Sequence, residues 1–358
     1  MNQDKKRARA DKNEELHVKK PSIVEQITPL AQQINCLDIE QVATVCIEKI
    51  PSLVGVRCAS LYLLDEINNI LYLQKCNHPF QINKIVSLNQ NPQSPMVMAV
   101  KNHETICVED IDTHENPVIK RSQRRFIENY KTKNCAIAPL ICQNKVVGVL
   151  NLADKLNNES FNFEDIALIG LLSQLIGASI GNIQMFGKIQ YQATTDGLTG
   201  LVNHRTFYEV LEKELWRSRR YGGTISLIMI DVDNLKRIND TYGHRAGDKV
   251  IKEVSSQIKM CIRQIDTAAR YGGDEFAVIL PNTSLEEATI VSERMVNSVS
   301  NSIVTWKKQQ IKPSISLGLG RYGSEATPED MTSRSDKALY TAKKVGGNAV
   351  KVFKSSLN

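Results

Sequence analysis

A nearly continuous apolar run in the second half of the chain, Ile225 to Ile230, ends directly in Asp231-Val232-Asp233. A run of this kind is typical of a strand that is buried on both faces at the centre of a sheet. About 40 residues later the sequence RYGGDEF, Arg270 to Phe276, predicts a hairpin, because a Gly-Gly pair supplies the positive φ angles of a two-residue turn. If the two strands are neighbours, Asp231 and Asp274 can share a hard cation through their carboxylate oxygens. Either segment alone is also an ordinary turn sequence.

The 358 residues leave room for about two domains. In the first half, two helices between Ile23 and Ile50 precede strand-like segments at 59–64, 70–74, 136–142 and 146–152. The second half alternates helices and strands from Thr194 onward. We therefore expect an α+β fold, with an antiparallel N-terminal sheet flanked by helices (residues 21–187) and a second domain (194–358) in which helices flank a central sheet. Residues 1–20, with seven Lys or Arg against four acids, predict a basic flexible tail.

Helical spacing of apolar residues over 163–193 predicts one long helix, the last of the first domain, which runs on as a connector to the second. Asn162 is placed as its N-cap, with Asp165 three residues on. Five apolar residues fit an a/d heptad frame: Ile169, Leu172, Ile176, Ile183 and Phe186. A helix more apolar than one domain requires predicts a partner helix from a second chain, and hence a homodimer. The alternative is that Leu171–Ile180 packs on its own domain.

Composition disfavours several classes of protein. No uninterrupted run of about 18 apolar residues occurs, so we expect no transmembrane segment, and the charged N-terminus lacks the apolar region of a secretory signal. None of the eight cysteines forms a CxxC pair, which disfavours a zinc site and favours reduced thiols in a cytoplasmic protein. The net charge of +6 is concentrated in the tail and in the second domain, where we expect an anionic ligand but no nucleic-acid partner.

Six blocks of the second half resemble the GGDEF family of diguanylate cyclases, in the family's order and spacing, across nearly all of residues 192–354. The blocks are Asp196–Asn203, Asp231–Asp240, Tyr242–Asp248, Arg270–Phe276, Ser316–Gly318 and Asp336–Lys343. The resemblance implies a central sheet like the palm of nucleotidyl cyclases. It also implies that two GTP molecules condense to cyclic di-GMP where two such domains face each other in a dimer.

The metal site follows from the same resemblance. It implies that Asp231, the carbonyl group of Val232 and Asp274 bind Mg²⁺, or Mn²⁺ in its place. Glu275 would position the metal or accept the proton of the attacking hydroxyl. Phosphoryl-type transfer depends mainly on positioning and charge neutralisation, which two carboxylates and a divalent cation provide.

The resemblance also implies the nucleotide contacts. Lys236 and Lys343 would meet phosphate oxygens as point charges. Asn239 and Asp248 match the guanine-reading positions. A carboxylate accepts hydrogen bonds from the N1–H and N2–H donors of guanine, which adenine does not present, so Asp248 favours GTP over ATP.

A product-inhibition motif of the family, RxxD, matches Arg263 and Asp266, and Arg294 falls at a third position that joins this site. Arginine forks match phosphate and guanine acceptors, and an acid matches guanine donors. Without the neighbouring blocks, RxxD is more often a surface ion pair on one helix.

The sequence departs from the family at a few positions. Gly347 stands where an arginine is usual, which removes a phosphate-binding cation unless Lys344 substitutes for it. Leu235 replaces a frequent Phe, and His204 a frequent Arg. The alternative function is therefore a weakly active or inactive domain that serves as an effector binding GTP or cyclic di-GMP.

Residues 23–187 resemble a GAF domain, a small-molecule sensor and dimerisation module, through Ser60–Asp65 and Ala138–Asp154. Cyclic-nucleotide-binding members carry a signature after the last strand, which Lys155, Phe161 and Asp165 match at three of its five positions. The resemblance implies a cyclic nucleotide such as cAMP or cGMP as the ligand. Phe161 and Asp165 are equally explained as helix-start residues, which leaves a purely structural, dimerising domain as the alternative.

Overall fold

The computed structural model describes residues 23–90, 92–109, 131–156, 159–322 and 326–353. The chain divides into two compact units, Met1–Lys188 and Ile189–Asn358. Both units combine β-sheets with α-helices, which confirms the α+β class expected from the sequence. The basic tail expected at residues 1–20 lies outside the described residues.

An antiparallel sheet, six-stranded in the described residues, forms the centre of the first unit. Its order is β3-β2-β1-β6-β5-β4. The strands are β1 (Val56–Asp65), β2 (Ile70–Cys76), β3 (Ile85–Ser87), β4 (Ile106–Val108), β5 (Cys135–Cys142) and β6 (Lys145–Lys155). Central strands β1 and β6 are buried over most of their length because both faces of the sheet are covered.

Helices cover the two faces of this sheet. They are α1 (Ile23–Ile34), α2 (Ile39–Glu48), α3 (Ile50–Val54), α4 (Pro95–Asn102) and α5 (Phe163–Thr194). Buried residues of α1, α2, α3 and α5 form one core with the sheet, whereas α4 packs into a second core on the opposite face. Asp38 caps α2, since its side chain accepts from the N–H of Glu40 at 2.9 Å.

The long helix α5 begins as the sequence predicts and spans about 48 Å at 1.5 Å per residue. Asn162 and Asp165 form a reciprocal cap: each backbone N–H donates to the other's side-chain oxygen, at 3.0 and 2.9 Å. Further along, the helix backbone lies directly on β5. A Cβ on Gly177 would lie 2.5 Å from the backbone nitrogen of Ile141, and one on Gly181 would clash with Cys142. These two glycines are therefore required for the close packing of α5 on the sheet.

Four of the five heptad positions of α5 pack against their own unit. Ile169, Leu172 and Ile176 are fully buried in the core of their own unit, and Ile183 packs against that core. Of the five heptad residues only Phe186 is exposed. The spacing arises because one face of the helix packs on its own sheet, as in the alternative interpretation.

Helix α5 also qualifies the expectation of no transmembrane segment. One 18-residue window has a mean hydropathy of 1.8, so the helix is long and apolar enough to cross a membrane. However, 44% of that window is buried inside the protein. Packing in the sheet core accounts for the apolar composition of the buried face.

The second unit contains a five-stranded sheet in the order β13-β12-β7-β9-β8. Its strands are β7 (Ile225–Val232), β8 (Thr267–Arg270), β9 (Glu275–Pro281), β12 (Ile315–Tyr322) and β13 (Val350–Val352). β13 runs parallel to β12, and the other neighbours are antiparallel. β10 (Val304–Trp306) and β11 (Gln309–Ile311) form a separate hairpin. β7 is buried at every position, as its continuous apolar run predicts.

Helices lie on both faces of this second sheet. They are α6 (His204–Tyr221), α7 (Leu235–Tyr242), α8 (His244–Met260), α9 (Leu285–Asn301) and α10 (Pro328–Lys344). Residues of α8 and α9 form the larger core with one face, and those of α6 and α10 form a smaller core with the other. The short α7 directly follows β7, so it starts at the same end of the sheet as Asp231.

Candidate active site

Strands β7 and β9 are neighbours, which is the arrangement that a shared acidic site requires. Asp231, near the end of β7, lies opposite Glu275, the first residue of β9. The backbone N–H of Val232 donates to the carbonyl oxygen of Asp274 at 3.1 Å. The structure therefore brings the four residues expected to bind or position a metal to one end of two adjacent strands.

The connection between β8 and β9 differs from the tight turn that the Gly-Gly pair predicted. Residues 271–274 link the strands, and neither Gly272 nor Gly273 has a positive φ, so the prediction of a two-residue turn is wrong. The glycines provide space instead. A Cβ on Gly272 would lie 2.7 Å from Oε2 of Glu275, and one on Gly273 would meet no described atom within 4 Å. The absence of a side chain at Gly272 thus leaves room for the Glu275 carboxylate, and the backbone at Gly273 has no described atom close to it.

Asp231 is the most buried acid of the site, at 6% exposure. Its Oδ2 lies 2.6 Å from Nζ of Lys343, at the end of α10. Burial raises the pKa of Asp231; Lys343 opposes this rise, whereas the nearby charges of Asp274 and Glu275 add to it. The acids repel one another, and a bound cation relieves such repulsion.

The donor set fits a hard divalent cation. Asp231 and Asp274 supply carboxylate oxygens and Val232 supplies a carbonyl oxygen, all of which are Mg²⁺ ligand types. In the part of the chain that the structure describes, no three or more His, Cys, Asp or Glu side chains group to hold a metal. Mg²⁺ typically takes one or two carboxylates and completes its shell with water and phosphate oxygens. The residues therefore fit an ion that binds together with a nucleotide.

Three of the four residues expected to contact the nucleotide lie on the two helices after β7, whereas Lys343 ends α10. Lys236 on α7 and Asp248 on α8 are exposed, and Asn239 on α7 is half-buried. Oδ1 of Asn239 is buried and accepts no hydrogen bond from the described residues. Gly247 packs so closely against the Asn239 side chain that a Cβ would clash with it. An unsatisfied buried acceptor is rare in native proteins and is expected where a ligand donor binds.

The structure shows what surrounds two residues that depart from the family, Leu235 and His204, and the lysine that could replace the missing arginine, Lys344. Leu235 is buried in the core of the second unit. The ring of His204 lies 4.7 Å from the ring of Tyr271, beside the acidic turn. Nζ of Lys344 lies 4.4 Å from the ring centre of Tyr340, so this lysine makes a cation–π contact on its own helix.

Arg263 and Asp266 lie in the turn after α8, and Arg294 on α9 is close enough for its charge to act on Asp266. Asp266 accepts from the backbone N–H of Arg263 at 2.8 Å, and Arg294 donates to the carbonyl oxygen of Cys261 at 2.5 Å. Oδ1 of Asp266 is buried and has no hydrogen-bond partner in the described residues. Burial raises the pKa of Asp266, and the charges of Arg263 and Arg294 oppose that rise. The RxxD motif therefore lies in a turn rather than on one helix, and Oδ1 of Asp266 remains available to accept a hydrogen bond.

In the first unit, Lys155 contacts the other two signature residues. Nζ of Lys155 lies 2.7 Å from Oδ1 of Asp165, 2.8 Å from the carbonyl oxygen of Val54, and 5.5 Å from the ring centre of Phe161. Lys155 is 6% exposed. The buried ion pair therefore ties the first turn of α5 to the end of β6 and to α3.

Two polar residues beside the site were not singled out from the sequence. Arg270 joins the acidic turn to Asp196, and Asp233 fixes the segment after α10. Both lie inside blocks that match the family, and Asp196 is the acid that opens the first block. The sequence signal was therefore present, but only the structure pairs these residues with their partners.

Comparison with known proteins matches a different family to each half of the chain. The family described as "Diguanylate cyclase, GGDEF domain" matches residues 193–349, and the GAF domain family matches residues 38–180. Diguanylate cyclase A of Treponema denticola is 32% identical over 296 residues, which cover 81% of this chain and 77% of that protein. Diguanylate cyclase DgcP of Pseudomonas aeruginosa is 39% identical over 161 residues, or 45% of this chain and 24% of DgcP.

Among solved structures, the coiled coil and GGDEF domain of DgcB from Caulobacter crescentus, in complex with c-di-GMP, matches 49% of this chain and 94% of that one. The TM-score is 0.47 at 31% identity. The assignment rests on the Treponema protein, whose similarity extends through both domains, and on the two family matches. The chain belongs to the diguanylate cyclase family, as an enzyme with a GAF domain followed by a GGDEF domain.

Proposed function

We propose that the protein condenses two GTP molecules to cyclic di-GMP and two diphosphates, each 3′-hydroxyl attacking the α-phosphorus of the other nucleotide. The observation that carries this proposal is the pairing of β7 with β9. It gathers Asp231, Asp274 and Glu275 at one strand end, within reach of Lys343. This is a set of charges suited to binding a triphosphate with a divalent cation.

The residues have distinct roles in this reaction. Asp231, the Val232 carbonyl and Asp274 would hold Mg²⁺, for which Mn²⁺ can substitute because it accepts the same oxygen donors. When bound, the ion neutralises developing charge on the phosphates. Glu275, beside Asp231 in the register, orients the site or accepts the hydroxyl proton.

The nucleotide itself is held at both ends in this proposal. Lys236 and Lys343 bind phosphate oxygens, while Asn239 and Asp248 read guanine. The open Oδ1 of Asn239 supports this role, because a base N–H would satisfy it.

Two catalytic domains must face each other, since each holds one GTP; we therefore propose a homodimer. Beyond the core of the first unit, α5 exposes Met185, Phe186 and Ile189. These apolar side chains support association with a second copy through the connector. Phe186 is one of the heptad residues expected from the sequence, whereas Met185 and Ile189 were not among them.

We further propose that a ligand of the GAF domain regulates the cyclase through α5. The Lys155–Asp165 pair joins the GAF sheet directly to the start of that helix, so a change at the sheet has a route to the connector. A cyclic nucleotide such as cAMP or cGMP is the ligand class that the signature implies. The contacts of Lys155 with Asp165 and Phe161 also support the structural alternative, in which these residues only stabilise the helix start.

Product feedback is proposed at Arg263, Asp266 and Arg294. The buried, open Oδ1 of Asp266 supports guanine binding there, and the two arginines complement phosphate. We place the protein in the cytoplasm, where GTP is available and its eight free cysteines stay reduced.

Purified protein incubated with GTP and Mg²⁺, followed by chromatographic separation of nucleotides, tests the activity. Asp274→Asn/Glu275→Gln, which keeps the side-chain shapes, is the control. Cyclic di-GMP from the wild type and none from the control would support the cyclase. Addition of cAMP, cGMP or cyclic di-GMP in parallel tests the two regulatory sites. Binding of GTP or cyclic di-GMP without any product would favour the effector alternative.

A further inference from the structure

Asp233 lies two residues after Asp231, and its carboxylate accepts three hydrogen bonds. Oδ1 accepts from Oγ of Ser316 at 2.7 Å; Oδ2 accepts from Oγ of Ser314 at 2.9 Å and from the backbone N–H of Asn348 at 2.8 Å. The backbone N–H of Asp233 also donates to the carbonyl oxygen of Ser314, at 2.9 Å. Asp233 thus binds the beginning of β12 and the segment after α10 at the same time.

The segment held by Asp233 begins at the helix end that carries Lys343. The N–H of Gly346 donates to the carbonyl oxygen of Lys343 at 3.1 Å, and the N–H of Gly347 to that of Ala342 at 3.3 Å. Gly346, Gly347 and Asn348 all have positive φ, at 109°, 78° and 49°. This left-handed path turns the chain back from α10 so that the Asn348 N–H reaches Asp233.

Gly347 is fitted to the Asp233 carboxylate. A Cβ at this position would lie 2.9–3.0 Å from its carboxyl atoms. An arginine in the same backbone path would therefore meet both steric conflict with Asp233 and an unfavourable φ. The loop conformation therefore requires glycine at position 347, and its backbone would have to change to accept a side chain.

We propose that Asp233 is a positioning residue for the phosphate side of the active site: it fixes the end of α10, and so Lys343, relative to Asp231 and Val232. The proposal rests on the proposed function, since it concerns how GTP phosphates are bound. Guanine recognition is assigned to α7 and α8, which Asp233 does not contact through these bonds. Loss of its hydrogen bonds should therefore weaken the binding of phosphates and leave the binding of the base intact.

The test compares two ligands on the full-length chain with Mg²⁺, by calorimetry. One is 3′-deoxy-GTP, which lacks the attacking hydroxyl and cannot be turned over, and the other is GMP. The principal variant is Asp233→Asn, which keeps the shape but loses acceptor capacity. Ser316→Ala removes one of the three bonds as a milder variant, should Asp233→Asn fail to fold. Asp330→Asn, an exposed acid in the first turn of the same helix, is the matched control.

We expect Asp233→Asn to raise the dissociation constant of 3′-deoxy-GTP about tenfold and that of GMP less than twofold. Ser316→Ala should show the same selectivity with a smaller change, and Asp330→Asn should change neither. Equal weakening of both ligands, or no weakening, would overturn the proposal. Gly347→Arg gives an independent check: no gain in 3′-deoxy-GTP affinity is expected, and tighter binding would contradict the fitted role of Gly347.

The experiments distinguish a failure of the Asp233 positioning role from a failure of the proposed cyclase activity. If the wild type binds 3′-deoxy-GTP with the expected selectivity among variants but forms no cyclic di-GMP, the positioning role stands and the cyclase activity fails. If the wild type synthesises cyclic di-GMP while Asp233→Asn loses no phosphate affinity, the cyclase stands and the positioning role fails.

Discussion

The guanidinium group of Arg270 connects Asp196 to the acidic turn. Its NH1 lies 3.0 Å from Oδ2 of Asp196, and its NH2 donates to the carbonyl oxygen of Gly273 at 2.6 Å. Asp196 lies two residues after the end of α5 and also accepts from Thr199, through the backbone N–H at 2.9 Å and the hydroxyl at 2.7 Å. Burial opposes ionisation of Asp196, but these hydrogen bonds and the Arg270 charge outweigh it and lower the pKa. One arginine therefore links the end of the connector helix to the loop before Asp274.

Asp196→Asn and Arg270→Lys should each lower kcat about tenfold, with a smaller effect on GTP affinity. Each breaks the geometry that holds the loop, while the guanine-reading residues remain in place. Each should also lower the free energy of unfolding by about 1 kcal/mol, because the pair is only partly buried. Steady-state kinetics with urea unfolding measures both effects. The double variant should be little worse than either single variant, and full additivity would show that the two residues act independently.

Gly247→Ala should raise KM for GTP about tenfold, because its Cβ displaces the Asn239 side chain from the position that leaves Oδ1 open. Gly197→Ala is the matched control, since its Cβ would meet no described atom within 4 Å. Michaelis–Menten kinetics on both variants checks this prediction. Equal KM values in the two variants would mean that Asn239 does not contribute to GTP binding through this position.

Gly181→Ala should destabilise the first unit by about 1–3 kcal/mol through its clash with Cys142. Cys142→Gly should remove part of that penalty, so the two substitutions should couple in a double-mutant cycle. Gly187→Ala, on the exposed part of α5 with no neighbour among the described residues, should be neutral or stabilise the helix by up to about 1 kcal/mol. Circular dichroism is the appropriate probe, because both tryptophans, Trp216 and Trp306, lie in the second unit.

The stability of the first unit should rise with pH between about 4 and 6.5. Burial lowers the pKa of His78 to about 4, from an ordinary value near 6.5. In this interval the unfolded chain binds a proton at His78 and the folded chain does not, so acidification favours unfolding. The side chain is only partly buried, so the effect should be on the order of 1 kcal/mol.

Urea unfolding at pH 5 and pH 7, followed by circular dichroism, measures this dependence in the wild type and in His78→Gln. The variant should show a smaller difference between the two pH values. Tryptophan fluorescence reports the second unit and should be the same in both proteins. An identical pH dependence by circular dichroism in the two proteins would exclude His78 as the source.

Features set by local chemistry were predictable from the sequence. The continuous apolar run of β7 predicted a central buried strand, and Asn162 with Asp165 predicted the start of α5. Both depend on a few adjacent residues, whose periodicity or capping chemistry has one common structural outcome.

Features set by tertiary contacts were not predictable in the same way. The Gly-Gly pair predicted a tight turn, but Gly272 is needed for the space around Glu275, and sequence alone does not distinguish space from φ. The apolar heptad residues of α5 could have packed on a helix of a second chain or on their own domain. In the structure, the sheet of their own unit covers Ile169, Leu172 and Ile176. For Asp233, the partners lie about 80 and 115 residues away along the chain, beyond any local pattern.

The ion pair between Lys343 and Asp231 determines what a divalent cation encounters at this site. A free ion that binds Asp231 has to compete with the ammonium group of Lys343, which reduces the free energy gained on binding. A nucleotide that arrives with its own ion offers Lys343 a phosphate in return, and each positive charge then keeps a negative neighbour. Under the proposed function, Lys343 is therefore a counterion of Asp231 that transfers to a phosphate when GTP binds, and the site is expected to bind the metal more tightly with the nucleotide than without it.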